Sequence, residues 1–133
     1  MKIKTAFIVF LIFPTALFAG AGWTGVAQDI EAALKDALKS YELGDSEKAM
    51  EEVADAYFGI FEAEDANMEI AVRQSLSLKR ATSLERAFTG VRKMMHEKAP
   101  LKEVKEKTLD LAAEIEKAAD ELNRKGITTG HRR

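Results

Sequence analysis

Acidic side chains crowd one short stretch of this 133-residue chain. Asp55 and Glu62 stand seven residues apart and share one face of a helix, with Glu51 on the turn before. Glu64 and Asp65 follow, and Glu69 opens the next helix one short turn beyond Glu62. Carboxylate oxygens grouped in this way suit hard cations such as Fe³⁺, Ca²⁺ or Mn²⁺. The candidate metal ligands are therefore Glu62, Glu69, Asp55 and Asp65. The plainer alternative is a solvated acidic turn, whose carboxylates are favoured by the helix dipole.

Arg73 and Arg80 are the cations set to orient those carboxylates. Winding Met68 to Met95 as one helix puts Leu84, Val91 and Met95 on one arc, with Ala87 beside them. Continued toward the N-terminus, the same arc carries Glu69, Arg73 and Arg80. An apolar stripe that turns ionic halfway is not how a simple core is written. The spacing also permits an ordinary surface pair between Glu69 and Arg73, or a polar network that fixes packing register.

Other chemistry is poorly served. His96 and His131 are the only histidines, and no cysteine occurs, so no nucleophile–base arrangement and no zincin or di-iron pattern is present. There is no glycine-rich phosphate loop. His96 beside Met94 and Met95 invites a haem reading, but its place at a helix end favours a surface role. The expectation is a protein that is not an enzyme. Tyr57, Phe58, Phe61 and Phe88 read as core aromatics at helical spacing. Trp23 reads as packing over one end of the fold.

The N-terminus has the form of a secretory signal. Lys2 and Lys4 precede an apolar run from Ala6 to Leu17, and Ala19-Gly20-Ala21 places cleavage after Ala21. Cleavage after Ala19 is the second choice, and an uncleaved anchor is opposed by the shortness of the run. Secretion without cysteine suits a bacterial periplasm and rules out a lipoprotein anchor or a disulfide frame. Without Lys2 and Lys4, 18 Lys+Arg face 22 Asp+Glu, a balance of about −4 that argues against a nucleic-acid partner.

Four amphipathic segments must position these residues. They are expected over about Gly25–Leu43, Ser46–Ala63, Met68–Glu97 and Leu101–Arg124. Gly44, the Glu64–Asn67 turn with Asp65 or Asn67 as N-cap, and Pro100 separate them. Gly126 stops the last, and Ile127 to Arg133 should be a loose tail. The expected fold is all-α, an antiparallel up-and-down four-helix bundle over residues 22–126.

The stretch Tyr57 to Pro100 resembles the extracytoplasmic helical region of bacterial high-affinity iron permeases, the oxidase-dependent iron transporter and Fe²⁺/Pb²⁺ permease family. The likeness lies in Tyr57-Phe58…Phe61-Glu62, in Met68-Glu69…Ala71-Val72-Arg73 and in Leu84-Glu85…Phe88…Val91-Arg92. It covers the middle third of the chain. The family's membrane domain and its Arg-Glu-Gly-Leu-Glu motifs have no counterpart here, so the transport residues are not carried over. The resemblance implies a periplasmic domain serving iron uptake, with iron as the metal and a membrane iron permease or another periplasmic uptake component as partner. A non-metal helical interaction or sensor module is the alternative.

Overall fold

The computed structural model describes residues 22–129. The expected signal segment, residues 1–21, and the last four residues of the tail lie outside them. Among the described residues the chain is all-helical, with no strand. The helices are α1 (Gly22–Glu42), α2 (Ser46–Ala56), α3 (Met68–Ser75), α4 (Leu78–His96) and α5 (Leu101–Arg124). A single π-helical turn, Tyr57–Phe61, continues α2. No helix among the described residues is long and apolar enough to cross a membrane.

Local signals set the helix ends. Gly44 takes φ +91° after α1, a conformation that costs glycine nothing, and Asp45 caps α2 by accepting from the Lys48 amide at 3.0 Å. Pro100 precedes α5, and Gly126 ends it at φ +74°. Asn67 holds the N-cap position of α3 in the left-handed region, but its side chain bonds no helix amide. That corrects the expectation of a side-chain cap in this turn.

The largest departure from expectation is a break in the third segment. One helix from Met68 to Glu97 is replaced by α3, a sharp corner and α4. The amides of Leu76 and Ser77 both donate to the Val72 carbonyl, at 2.9 and 3.0 Å, which closes α3. Ser77 is extended, at φ −175° and ψ 155°, and its Oγ accepts from the Arg80 amide at 3.0 Å. A serine that caps the following helix competes with continuing the preceding one. Ser77→Ala should cost about 1 kcal/mol of stability, read from the denaturant midpoint, because an orphan amide of α4 loses its acceptor.

Amphipathic burial assembles the rest. α1 packs along both α2 and α5, and α4 also packs along both. Between them lie Ile30, Leu34, Val53, Phe88, Met95, Leu111, Ile115 and Leu122, all essentially inaccessible. Trp23 closes one end, as expected: it is 1% exposed and its Nε1 donates to the Ile127 carbonyl at 2.7 Å. Ile127 itself packs on the core and its amide reaches Leu122 O at 3.0 Å, so the chain is tied down beyond the expected end of the domain. α3 is short and packs chiefly against α4, with its side chains Met68 and Val72 buried.

Candidate metal centre

Three carboxylates meet where the π-turn, α3 and α4 converge. One oxygen from each of Glu62, Glu69 and Glu85 lies within 4.8 Å of the others. Each arrives for a local reason. Glu62 follows the π-turn, where its amide donates to the Tyr57 carbonyl at 2.8 Å, five residues back. Such wide turns re-aim the side chains that follow them and recur at functional sites. Gly59 sits in the turn with open space where a Cβ would stand, so it marks the bend and not a close approach. Glu69 lies in the first turn of α3, where the helix dipole favours a negative charge. Glu85 comes from α4, delivered by the corner at Leu76–Ser77.

That corner is what makes the cluster. On one continuous helix, Glu69 and Glu85 would stand about 24 Å apart on opposite faces. The broken helix turns them toward each other. Sequence periodicity therefore missed Glu85, and the available clue was Ser77 read as a cap.

Burial grades the three. The Glu69 side chain is 7% exposed and that of Glu85 30%, while Glu62 is the most open. Arg73, one turn along α3, donates through one Nη to both Glu69 and Glu85, the second at 3.3 Å. The hydrogen bond to Glu69 and its negative charge raise the Arg73 pKa further, so the guanidinium stays charged. Tyr57 donates its hydroxyl to Glu62 at 2.8 Å. Burial, then the hydrogen bond and charge of Glu62, push the Tyr57 phenol up, so it remains a donor. The Tyr57 ring is held by Phe61 and Phe88, with centroids at 5.8 and 5.1 Å. The aromatic core thus fixes the partner of Glu62.

One guanidinium does not neutralise three carboxylates. Burial raises the Glu85 pKa above its ordinary 4.5, and the neighbouring Glu69 raises it further, against the opposing pull of Arg73. A carboxyl whose folded pKa is raised stabilises the fold most below its unfolded pKa. That contribution is lost as pH rises from about 4.5 through the raised value. With a chelator present, Glu85→Gln should abolish this part of the pH dependence, seen as flatter denaturant midpoints across that window.

The other expected site residues lie elsewhere. Asp55 is exposed and shares a shallow surface pocket on the α1–α2 side with Asp36 and Glu52. Asp65 is exposed beside Gly22, Gly25 and Asp29 at the end where α1 begins. Neither belongs to the carboxylate cluster. The seven-residue spacing of Asp55 and Glu62 assumed regular α-helix, and the π-turn between them changes that phase. Arg80 turns away as well: its Nη1 pairs with Glu121 of α5 at 3.0 Å. It ties α4 to α5 and does not orient the cluster, whereas Arg73 does. Of the expected set, Glu62, Glu69 and Arg73 are brought together. No family model, curated protein or solved structure matches this chain.

Proposed function

We propose that the protein is a periplasmic accessory of iron uptake that holds iron loosely, as cargo, between Glu62, Glu69 and Glu85. The observation that carries this reading is the convergence of three carboxylates from three elements within 4.8 Å. Their charge supports it. Three carboxyl groups face the single guanidinium of Arg73, an acid-rich cluster that suits a cation. Oxygen donors suit hard cations, and a site with so few protein ligands holds them exchangeably. The chain's own residues have separate tasks: Tyr57 steadies Glu62, Arg73 steadies Glu69 and Glu85, and burial keeps Glu69 fixed.

Release after signal cleavage at Ala21, and docking to a membrane iron permease, belong to the same proposal. The Lys2–Ala21 pattern supports the first, and the resemblance of Tyr57 to Pro100 to the permease region supports the second. We read the architecture as an antiparallel up-and-down four-helix bundle, with α3 as a short step between its second and third long helices. The pairwise packing of α1, α2, α4 and α5, with short connections between α1 and α2 and between α4 and α5, supports that topology.

The test is thermal unfolding of the purified protein with Fe²⁺ under anaerobic conditions, Fe³⁺-citrate, Mn²⁺, Cu²⁺ and Ca²⁺. Metal at about 100 times its Kd should stabilise by roughly 2.7 kcal/mol, a rise of about 10 °C for a domain of this size. A rise that saturates with iron supports the reading, and no rise with any cation overturns it. One observation favours a second reading, a non-metal interaction module: Phe58, stacked edge-on against Tyr57 and 64% exposed, offers an apolar contact on the same turn. Capture of a partner that depends on Phe58 and ignores metal would select it.

A further inference from the structure

A cleft of about 460 Å³ runs along the seam between α4 and α5, and it shares no residue with the carboxylate cluster. Its floor is apolar, with Ala87, Gly90, Val91 and Met94 from α4 and Leu111 from α5. Gly90 sits in the interior of α4, where glycine is a poor helix former. A Cβ there would meet nothing within 4 Å, so packing inside this chain does not require the glycine. The α4 backbone lies bare on the cleft, open to close approach from outside.

The charges on its two walls are sorted by sign. The α4 wall carries Arg86, Lys93 and Glu97, a balance of +1, and the α5 wall carries Lys107, Asp110 and Glu114, a balance of −1. The cleft as a whole is neutral, so its charge selects neither an anion nor a cation. Lys93 pairs with Glu97 at 3.1 Å, and Glu114 pairs with Lys117 at 3.2 Å. Arg86, Lys107 and Asp110 are exposed and form no ion pair among the described residues. Of these, Arg86 and Asp110 are opposite in sign and stand on opposite walls. They are also level with each other. α4 and α5 are joined by four residues and pack along each other, so they run antiparallel. Arg86 stands ten residues before the end of α4 and Asp110 nine residues after the start of α5, a difference in height of about 1.5 Å.

We propose that this face is the interface of a homodimer, with a second copy of the chain covering the cleft. The two-fold axis runs parallel to the seam, so that α4 of each copy lies over α5 of the other. That operation lays each positive wall on a negative one and sets Arg86 of each copy against Asp110 of the other, as two identical contacts. An unrelated partner would have to carry the same pattern reversed, whereas a second copy brings it by symmetry. The apolar floors then close on each other across the bare backbone at Gly90. The face is two helices wide and as long as the nineteen residues of α4, about 20 by 28 Å. Two copies would bury on the order of 1,100 Å², the scale of a transient interface, so the dimer should dissociate on dilution.

Sedimentation equilibrium of the purified protein, from about 1 μM to about 1 mM, reads the dimer directly. A chelator present throughout keeps cation bridging between carboxylate clusters out of the result. Arg86→Glu and Asp110→Arg change exposed side chains and leave the fold intact. Each alone should weaken dimerisation at least ~10-fold, because like charges then face each other at both contacts. Mixed in equal amounts, the two variants regain opposite charges at both contacts, and their heterodimer should recover to within ~3-fold of the wild-type affinity. No arrangement that sets α4 on α4 or uses another face predicts that rescue. A chain that stays monomeric at ~1 mM overturns the proposal. So does a dimer indifferent to both reversals, or a mixture that associates no better than the separate variants.

Discussion

Glutamine at both Glu69 and Glu85 is expected to weaken cation binding by on the order of 100-fold or more, with the helical signal intact. The amide keeps the volume and removes the charge, so the change reports on ligation and not on packing. Glu69 is the most buried member, and the pKa of Glu85 is raised by burial and by the neighbouring Glu69. The single variants separate binding from folding. Glu85→Gln should lower cation affinity yet raise the melting midpoint of the chelated protein near neutral pH, because it relieves repulsion against Glu69. A structural ion cluster without a ligand would show the second effect and not the first. Glu69→Gln should lower affinity too, while leaving Arg73 with Glu85 alone. Mn²⁺ titrations of both variants, read as midpoint shifts, decide this. Wild-type affinity in the double variant would remove the site from the protein.

Phe61→Ala is expected to destabilise the protein by about 3–5 kcal/mol, the range for truncating a fully buried phenylalanine. Phe61 is wholly inaccessible, and its ring lies 5.3 Å from that of Phe88 and 5.8 Å from that of Tyr57. Domains of this kind are stable by only about 5–15 kcal/mol, so the loss is a large share of the total. The cavity would open beneath the π-turn and free the Tyr57 ring. Cation affinity should fall along with stability, although Phe61 donates no ligand. Phe58→Ala, on the exposed side of the same turn, should change stability by less than about 0.5 kcal/mol. Denaturant melts of the two variants give the contrast. Equal losses would mean that the aromatic cluster is not the keystone of this end of the fold.

How much of this was legible beforehand differs from element to element. The stripes of α1 and α5 read directly as helices, since Ile30 and Leu34, or Leu111, Ile115 and Leu122, recur at helical spacing and are all buried. Gly44, Gly126 and Pro100 marked the ends because each has a backbone constraint of its own. Glu62, Glu69 and Arg73 were legible as a group because they are close along the chain. Asp55 and Asp65 were grouped with them on the same ground, and proximity in sequence misled there.

The sequence by itself determined the helical class, the buried faces and the acidic character of the Glu62–Glu69 stretch. These follow from a period of 3.6 residues and from side-chain chemistry, both of which act over a few positions. Only the tertiary structure decided which third carboxylate joins the cluster and which partners each arginine meets. Glu85 reaches Glu69 because Ser77 caps α4 and turns the chain. Arg80 finds Glu121, forty-one residues on, because α4 packs against α5. A helix periodicity carries no record of where a helix stops being straight, and contacts across such a corner are settled by packing.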